Sequence, residues 1–413
     1  MAKKKRSSIQ RTVLIIGGII LLFVILTGIK KSRTSPRIST ESTVVLSDTD
    51  VPGAYRDLYE KVGQELDDFA KKQNNADTHK AIKGAELLTA NTHRGEDLLK
   101  RQAMSGNTLF LDHLQKLGVK GVSVSLQYPI LSEDYPQSEE YWQFYKELVA
   151  EIRKRDLILH MDIGPIFKEK EYSDAGVDYS SISKEEYLKG KKEIAVRVAN
   201  ELQPDYLTLV NEPDTEAAIV GFSTTAEEYS RFISDIAKDI EGASSLIGAG
   251  SGTWDSTEYV NSFVQNPDVD FIDLHIYPLT NGVTDYLHQA VQMTQTAKAN
   301  GKRVIIGEVW LYKAAPKDLV LGEASTEIFS RDPFSFWSTL DQKMLKTVFD
   351  MAEANAIEYV SPFWSQYFFS YLDYDHNKNK SYLKLQSQVN KNAVQNMFEG
   401  KISDTGAFYS DLK

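Results

Sequence analysis

The feature that most constrains the fold is a regular alternation of strand-like and helix-like segments. Short runs of apolar, largely β-branched residues are typical of strands buried on both faces, and segments with apolar residues at helical spacing separate them. Strict alternation predicts a parallel sheet with right-handed crossovers. Eight strands, each followed by a helix, within about three hundred residues predict an α/β fold of the (β/α)8 TIM-barrel type. An open doubly wound sheet is the alternative.

The predicted strands cover residues 85–90, 119–126, 157–163, 206–210, 246–249, 271–276, 303–307 and 357–363. The predicted helices cover residues 107–117, 139–155, 184–202, 225–240, 258–264, 284–299, 336–354 and 383–397.

One extra helix is expected ahead of the barrel. Residues 54–73 place Tyr55, Leu58, Val62 and Leu66 on one face at helical spacing. We expect this helix to close the bottom or the side of the domain.

The amino terminus has the composition of a membrane anchor. A basic segment, residues 1–11, precedes an uncharged run, residues 12–29. As a helix this run would be roughly 27 Å long, close to the thickness of the hydrocarbon core. We interpret it as an uncleaved transmembrane signal anchor. A cleaved signal peptide is the alternative, but no small-x-small cleavage site follows. Residues 30–52 are rich in Ser, Thr and Asp, as in a flexible stalk, which leaves residues 53–413 as the folded domain.

The charges on either side of the span favour one orientation weakly. Five basic residues precede it and four follow it closely, so the positive-inside bias favours a cytoplasmic amino terminus. The sequence therefore predicts a single-pass protein of the cell membrane, held in the bilayer by residues 12–29, with its folded domain on the extracytoplasmic side.

The composition excludes several classes of function. The net charge of -11 argues against nucleic acid as a partner, because such binding needs clustered Lys and Arg. The absence of cysteine excludes disulfides, thiolate metal sites and Cys nucleophiles.

Two of the predicted strands end at a carboxylate. The fourth runs into Asn211, Glu212 and Pro213, and the seventh into Gly307 and Glu308. The carboxyl ends of barrel strands share one face, where active sites lie. Two carboxyl groups about 5–5.5 Å apart can act there as the acid/base and the nucleophile of a retaining glycosidase. For either acid alone, a salt-bridged or helix-capping Glu is the alternative. Gly307 would let a substrate or another backbone approach closely.

Aromatic and polar residues accompany the two acids. His275 and Tyr277 alternate at the end of the sixth strand and therefore share a face, although two satisfied core residues would show the same pattern. Trp364 follows the eighth strand, and its ring would suit the face of a pyranose or the core.

These motifs resemble the clan of retaining glycosidases on (β/α)8 barrels that includes cellulases, mannanases and galactanases. The resemblance covers most of residues 84–400 and does not single out a family. It implies that Glu212 is the acid/base, that Glu308 is the nucleophile, and that Asn211 hydrogen-bonds the sugar 2-hydroxyl.

The resemblance extends to the other motifs. His275 and Tyr277 match the clan's strand-six pattern, in which the Tyr orients the nucleophile. Trp364 matches the Trp that floors the sugar subsite, often with a cis peptide after it. The first two strands depart from the clan, because they lack the Arg that many members place near the nucleophile.

Further residues at strand ends are candidates for substrate contact. His160 and Asp162 end the third strand and are expected to be structural or weakly substrate-binding. Three aromatic residues that follow other strands could line a saccharide groove: Tyr128, Trp254 and Trp310.

The sequence therefore predicts a membrane-anchored retaining β-glycoside hydrolase that cleaves a β-linked poly- or oligosaccharide by double displacement. No cofactor and no metal are expected. The alternative is a non-catalytic glycan-binding barrel at the cell surface, which would commonly lose one of the two acids. A metal-dependent hydrolase is a third possibility, but only His160 and His275 stand at strand ends.

A weak calcium-loop pattern lies near the carboxyl terminus. Oxygen donors alternate from Asp373 to Asn379, but Lys378 and Lys384 replace the Gly and the Glu that such a loop needs. A solvated turn is therefore the favoured interpretation.

Overall fold

The computed structural model describes residues 50–72, 80–240, 242, 244–279, 282–315, 318 and 325–412. The predicted basic tail, the transmembrane anchor and nearly all of the predicted stalk lie outside these residues. Within them, no helix combines the length and the apolar character needed to cross a membrane.

Eight parallel strands form the centre of the domain. They are β1 Ile82–Lys83, β2 Gly121–Tyr128, β3 Ile158–Pro165, β4 Tyr206–Thr208, β5 Leu246–Gly252, β6 Phe271–Ile276, β7 Arg303–Val309 and β8 Tyr359–Pro362. The sheet order runs from β1 through β8, β7, β6, β5, β4 and β3 to β2.

Backbone hydrogen bonds close the sheet between β1 and β2. The Lys120 amide donates to the Lys83 carbonyl at 2.8 Å, and the Ser123 amide donates to the Ala85 carbonyl at 3.0 Å. A single parallel bridge joins Glu86 to Ser123. Closure makes the sheet a barrel and excludes the open doubly wound alternative.

Helices surround the barrel in the predicted alternation. They are α1 Arg56–Ala70, α2 Ala103–Lys116, α3 Ser138–Arg153, α4 Lys184–Arg197, α5 Pro213–Val220, α6 Ala226–Ala237, α7 Thr257–Phe263, α8 Val283–Ala299, α9 Ser325–Phe329, α10 Ser338–Ala354, α11 Tyr374–Asn377, α12 Tyr382–Glu399 and α13 Asp404–Asp411. Thr225 caps α6 by accepting from the Glu228 amide, and the Glu228 side chain accepts from the Thr225 amide.

The predicted extra helix is α1, and it lies on the side of the barrel between α8 and α10. Glu65 accepts a hydrogen bond from the Val283 amide at 3.0 Å. Asp67 pairs with Lys343 at 3.0 Å. Tyr59 stacks on Trp337, with ring centroids 5.8 Å apart.

The first predicted strand was misplaced. The strand is Ile82–Lys83, and Leu88–Ala90 form a buried 3₁₀ turn instead of its end. The apolar run followed the burial of Leu88–Ala90, whereas the two strand residues are only partly buried, and burial alone does not distinguish a strand from a turn.

The barrel interior is apolar at the bottom and polar above. Tyr206, Phe271, Ile305 and Tyr359 form a buried cluster inside the lower end. Gly248 makes room for this cluster, because a side chain there would overlap the Phe271 ring. Polar residues at the next inward positions then lead up to the mouth.

Candidate active site

The two predicted acids meet at the mouth of the barrel. Glu308 belongs to β7, and Glu212 immediately precedes α5, whose first residue is Pro213. One carboxylate oxygen of each lies within 4.8 Å of the other and of a ring nitrogen of His275. Glu212 is 6% exposed and Glu308 7% exposed, so both carboxyls are largely shielded from water.

A bulge in β7 turns Glu308 inward. Ile305 faces the barrel interior, so strict alternation would place Gly307 inside and Glu308 outside. The register between β6 and β7 shifts at this point: Leu274 pairs with Ile306, and His275 pairs with Glu308. Gly307 is the extra residue, and such bulges re-aim side chains next to active sites.

His275 and Tyr277 hold the two acids. His275 Nδ1 lies 2.7 Å from Glu212 Oε1 and 3.5 Å from Glu308 Oε2. The Tyr277 hydroxyl donates to Glu308 Oε2 at 2.7 Å. One oxygen of Glu308 is therefore fixed by Tyr277, which restricts the rotation of the carboxylate.

Asp273 supports this arrangement from below, and sequence reasoning missed it. Its carboxylate accepts hydrogen bonds from the Gly307 amide at 2.7 Å and from Thr208 Oγ1 at 2.8 Å. It also lies 3.7 Å from His275 Nε2. A side chain at position 307 would overlap this carboxylate, so Gly307 serves the close approach of Asp273. The alternation Asp273, His275, Tyr277 could have identified the residue.

A second group of acids forms one wall of the site. Asn211 Nδ2 donates to Asp162 Oδ1 at 3.0 Å. Ser125 Oγ lies 2.7 Å from Asp162 Oδ2 and 3.2 Å from Glu86 Oε1. Glu86 and Ser125 were not predicted, although Ser125 alternates with Ser123 and Gln127 on β2.

A pocket of ≈ 440 Å³ opens above these residues. Its aromatic walls are Phe167 and Phe363. The remaining lining residues are Asn91, His93, Ser125, Gln127, Asp162, Gly164, Pro165, Asn211, Glu212, Thr215, Glu216, Ile219 and Glu308.

The structure corrects the placement of Trp364 and Trp310. Each is only 2% exposed, and neither lines the pocket. Trp364 packs against Phe363 and Tyr367, with centroids 5.4 and 5.8 Å away, and Trp310 packs against Tyr367 at 5.9 Å. Tyr359 faces the barrel interior, so alternation along β8 turns Phe363 to the pocket and Trp364 away from it.

The other two predicted aromatic residues also lie outside the pocket lining. Tyr128 packs edge-on against Tyr187, with centroids 5.1 Å apart. Trp254 is partly buried and packs on Tyr277 at 5.9 Å, one ring away from Glu308. Within the described part of the chain the cis peptide precedes Pro129, so the bond after Trp364 is trans.

Burial and crowding perturb the titration of the site. Burial, reinforced by the charges of Glu212 and Asp162, raises the pKa of Glu308 to about 8. Burial opposes a charge on His275, but Glu308, Asp273 and Glu212 together raise the pKa of His275 well above its ordinary value. The pKa of Asp273 is lowered, because His160 and His275 outweigh its burial. Burial therefore favours the protonated form of Glu308 at neutral pH, and an ionised Glu308 would favour a charge on His275.

One trio in the site has the donor set of a divalent cation. Glu212, His275 and Glu308 each offer one ligand atom, and these atoms lie within 4.8 Å of one another. In the structure the trio is linked directly by the contact between His275 and Glu212.

The predicted solvated turn near the carboxyl terminus is a helix cap. Asp373 accepts from the His376 amide at 2.9 Å and begins α11. Asp375 pairs with Lys378 at 2.7 Å, so a lysine ammonium stands beside the acid that a calcium loop would use.

Comparison with known proteins supports the fold. No protein-family model matches the sequence, and no curated protein matches it significantly. Among solved structures, an exo-β-1,4-mannosidase from Opitutaceae bacterium strain TAV5 matches with a TM-score of 0.50 and 14% identity, over 82% of this chain and 61% of that one.

Two other solved structures resemble the chain more distantly. A GH5_18 protein from Bifidobacterium longum subsp. longum has a TM-score of 0.49 and 14% identity, over 80% of this chain and 78% of that one. A glycoside hydrolase family 30 subfamily 8 xylanase from Clostridium acetobutylicum has a TM-score of 0.40 and 15% identity, over 77% and 73%. The closed eight-stranded sheet is the barrel fold that the resemblance in the motifs implied.

Proposed function

We propose that the protein is a retaining β-glycoside hydrolase, with Glu308 as the nucleophile and Glu212 as the acid/base. The observation that carries this proposal is that one oxygen of Glu212 and one oxygen of Glu308 lie within 4.8 Å of each other. Retaining enzymes place their carboxyls about 5–5.5 Å apart, whereas inverting enzymes need about 6.5–9.5 Å to admit a water. The substrate class is a β-linked poly- or oligosaccharide.

The contacts of Glu308 suit a nucleophile. Tyr277 holds Oε2, which leaves Oε1 to attack the anomeric carbon. Glu212 protonates the leaving oxygen and then, as a base, activates the water that releases the product. His275, which touches Glu212, keeps the acid in place between these steps.

Before the first step, Glu212 must carry a proton and Glu308 must be ionised. Burial raises the pKa of Glu308 to about 8, so the free protein holds a proton on it near neutral pH. The productive complex needs that proton on Glu212. Hydrogen bonding from Tyr277 and the charge of His275 both favour the ionised Glu308. The positive charge that develops on the sugar strengthens this preference in the transition state.

Azide rescue distinguishes the two roles. A Glu308→Ala variant should be inactive on aryl β-glycosides and should form an α-glycosyl azide when azide replaces the carboxylate. A Glu212→Ala variant should keep glycosylation of good leaving groups and should form a β-glycosyl azide. Rescue with the opposite anomers would reverse the assignment. Wild-type activity in both variants would refute the assignment of Glu212 and Glu308 as catalytic residues.

The metal trio supports a second candidate, a metal-dependent hydrolase. Dialysis against a chelator separates the two candidates. The double-displacement mechanism predicts unchanged activity, and a loss that zinc or manganese restores would favour the metal enzyme. A glycan-binding barrel without turnover would bind oligosaccharides but release no product in either condition.

We also propose that residues 12–29 anchor the enzyme in the cell membrane, with the barrel on the extracytoplasmic side. The uncharged run and its basic flank support this proposal. Carbonate-washed membranes should retain the full chain, and protease added outside spheroplasts should remove the barrel. An amino terminus near residue 30 in the mature protein would contradict the anchor.

A further inference from the structure

The pocket contains more carboxyl groups than the proposed mechanism uses. Asp162 and Glu216 line it beside the two catalytic acids, and Glu86 lies behind Ser125. No Lys or Arg is among the lining residues. The lining imidazole, His93, is neutral because burial lowers its pKa to about 3.

Only one of these additional acids has its own cation. Glu216 pairs with Lys191 at 2.6 Å, and both side chains are buried. Asp162 and Glu86 instead receive hydrogen bonds from the neutral groups of Ser125 and Asn211. The chain can therefore supply a buried lysine to a pocket acid, and it does so for Glu216 and not for the other two.

The neutral donors are too few for these two carboxyls. A serine hydroxyl has one proton, so Ser125 cannot donate to Asp162 and Glu86 at once. Glu86 is 0% exposed, and its Oε2 has no hydrogen-bond partner in the described part of the chain. A buried carboxyl without donors is costly, and burial followed by the charges of Glu308 and Asp162 raises its pKa well above the ordinary value. Without a Lys or Arg partner in the described part of the chain, Asp162 and Glu86 therefore depend on Ser125, Asn211 and the charge of His275.

The missing chemistry defines the ligand. A sugar hydroxyl would supply one donor, whereas an ammonium group supplies three donors and a charge. A uronic acid would add a further carboxylate to the wall and be repelled. We propose that the sugar bound at the reacting position is a 2-amino-2-deoxy hexose with a free amine, recognised by Asp162 and Glu86 through Ser125 and Asn211. This inference rests on the proposed glycosidase function, and the 2-position follows from the role that the resemblance implies for Asn211.

The charge of the whole domain agrees with a cationic substrate. Nine basic and two acidic residues precede residue 50, so the remainder of the chain is more acidic than the overall net charge of -11. An acidic surface raises the local concentration of a polycationic glycan, and salt weakens that attraction.

Binding tests the inference without requiring turnover. The full-length Glu308→Gln variant, in detergent, would be used for calorimetry. The measurement would compare the dissociation constants of β-1,4-linked tetramers of glucosamine, N-acetylglucosamine and glucose. We expect the glucosamine tetramer to bind about 10- to 100-fold more tightly, the range of a charge-assisted hydrogen bond. Equal binding, or tighter binding of a neutral tetramer, would overturn the inference.

Variants locate the preference in the pocket wall. Adding Glu86→Gln or Asp162→Asn should reduce the preference for the glucosamine tetramer over the glucose tetramer about tenfold. Glu147, exposed on the outer helix α3, provides the control. Glu147→Gln changes the net charge by the same amount as the wall variants, but at a position outside the pocket lining. A preference that falls as much in this control as in the wall variants would be nonspecific attraction and would refute the site.

The outcome also separates this inference from the proposed function. One possible result is Glu308-dependent turnover of aryl β-glucosides without a preference for the glucosamine tetramer. This result would support the glycosidase function and refute the amino-sugar site. A strong preference without turnover of aryl β-glucosaminide would retain the site and remove the enzyme.

Discussion

Glu308 should make the stability of the domain fall as the pH rises, and Glu308→Gln should remove that dependence. The ordinary pKa is 4.5 and burial raises it to about 8. Between these values the unfolded chain has released a proton that the folded protein keeps. The free energy of unfolding therefore decreases over this range by about 1.4 kcal/mol per pH unit.

The total effect follows from the size of the shift. A displacement from 4.5 to about 8 corresponds to roughly 5 kcal/mol at most, because each unit is worth 1.36 kcal/mol. Gln resembles the protonated acid, so the variant and the wild type should have similar stability below pH 4.5. Above pH 8 the variant should be more stable by several kcal/mol. The carboxyl of Glu308 thus costs stability at the pH where it ionises.

Denaturant unfolding followed by Trp fluorescence would measure this difference at several pH values from 4.5 to 9. The exposed acid Glu147 provides a control, since Glu147→Gln removes a carboxyl group and leaves the buried acids in place. If the advantage of Glu308→Gln were constant across the series, the buried carboxyl would titrate normally in the folded protein and the reasoning would be wrong.

Other expected results concern the groups around the acids. Tyr277→Phe should lower kcat/KM about 10- to 100-fold, the value of a hydrogen bond to a charged group, with little change in unfolding; an unchanged kcat/KM would mean that the tyrosine does not orient Glu308. Gly307→Ala should destabilise the domain by about 1–3 kcal/mol and abolish turnover, because the new methyl group would overlap Asp273. Gly176→Ala is its control, since no atom lies within 4 Å of a side chain added at that position. Equal effects of the two variants would show that the bulge does not require glycine at position 307. Asp273→Asn should lower the pKa of His275, because Asp273 helps to raise it. NMR titration of the histidines would measure this pKa, and an unchanged value would contradict the expectation.

Much of the architecture could be predicted because periodicity reports burial directly. The strand Phe271–Ile276 has the predicted bounds, and α8 begins one residue before its predicted start. Strands four and seven begin where they were predicted, at Tyr206 and Arg303, but their ends differ: β4 stops at Thr208, two residues before the predicted end, and β7 continues to Val309, two residues beyond it.

The remainder depends on contacts that no local pattern contains. Strict alternation in β7 would send Glu308 outward, and only the register of β6 against β7 shows that Gly307 is bulged. The alternation of side chains along β8 would have selected Phe363 instead of Trp364 as the residue that faces the pocket. Glu86 escaped notice because its strand is short and the pairing that places it spans distant parts of the chain.

The stereochemistry of the first product tests the central claim most directly. Proton NMR of an aryl β-glycoside during its first minutes with the enzyme should show the β-anomer of the free sugar before mutarotation produces the α-anomer. Initial release of the α-anomer would mean single displacement by water, and two carboxylates within 4.8 Å would then not be acting as nucleophile and acid/base.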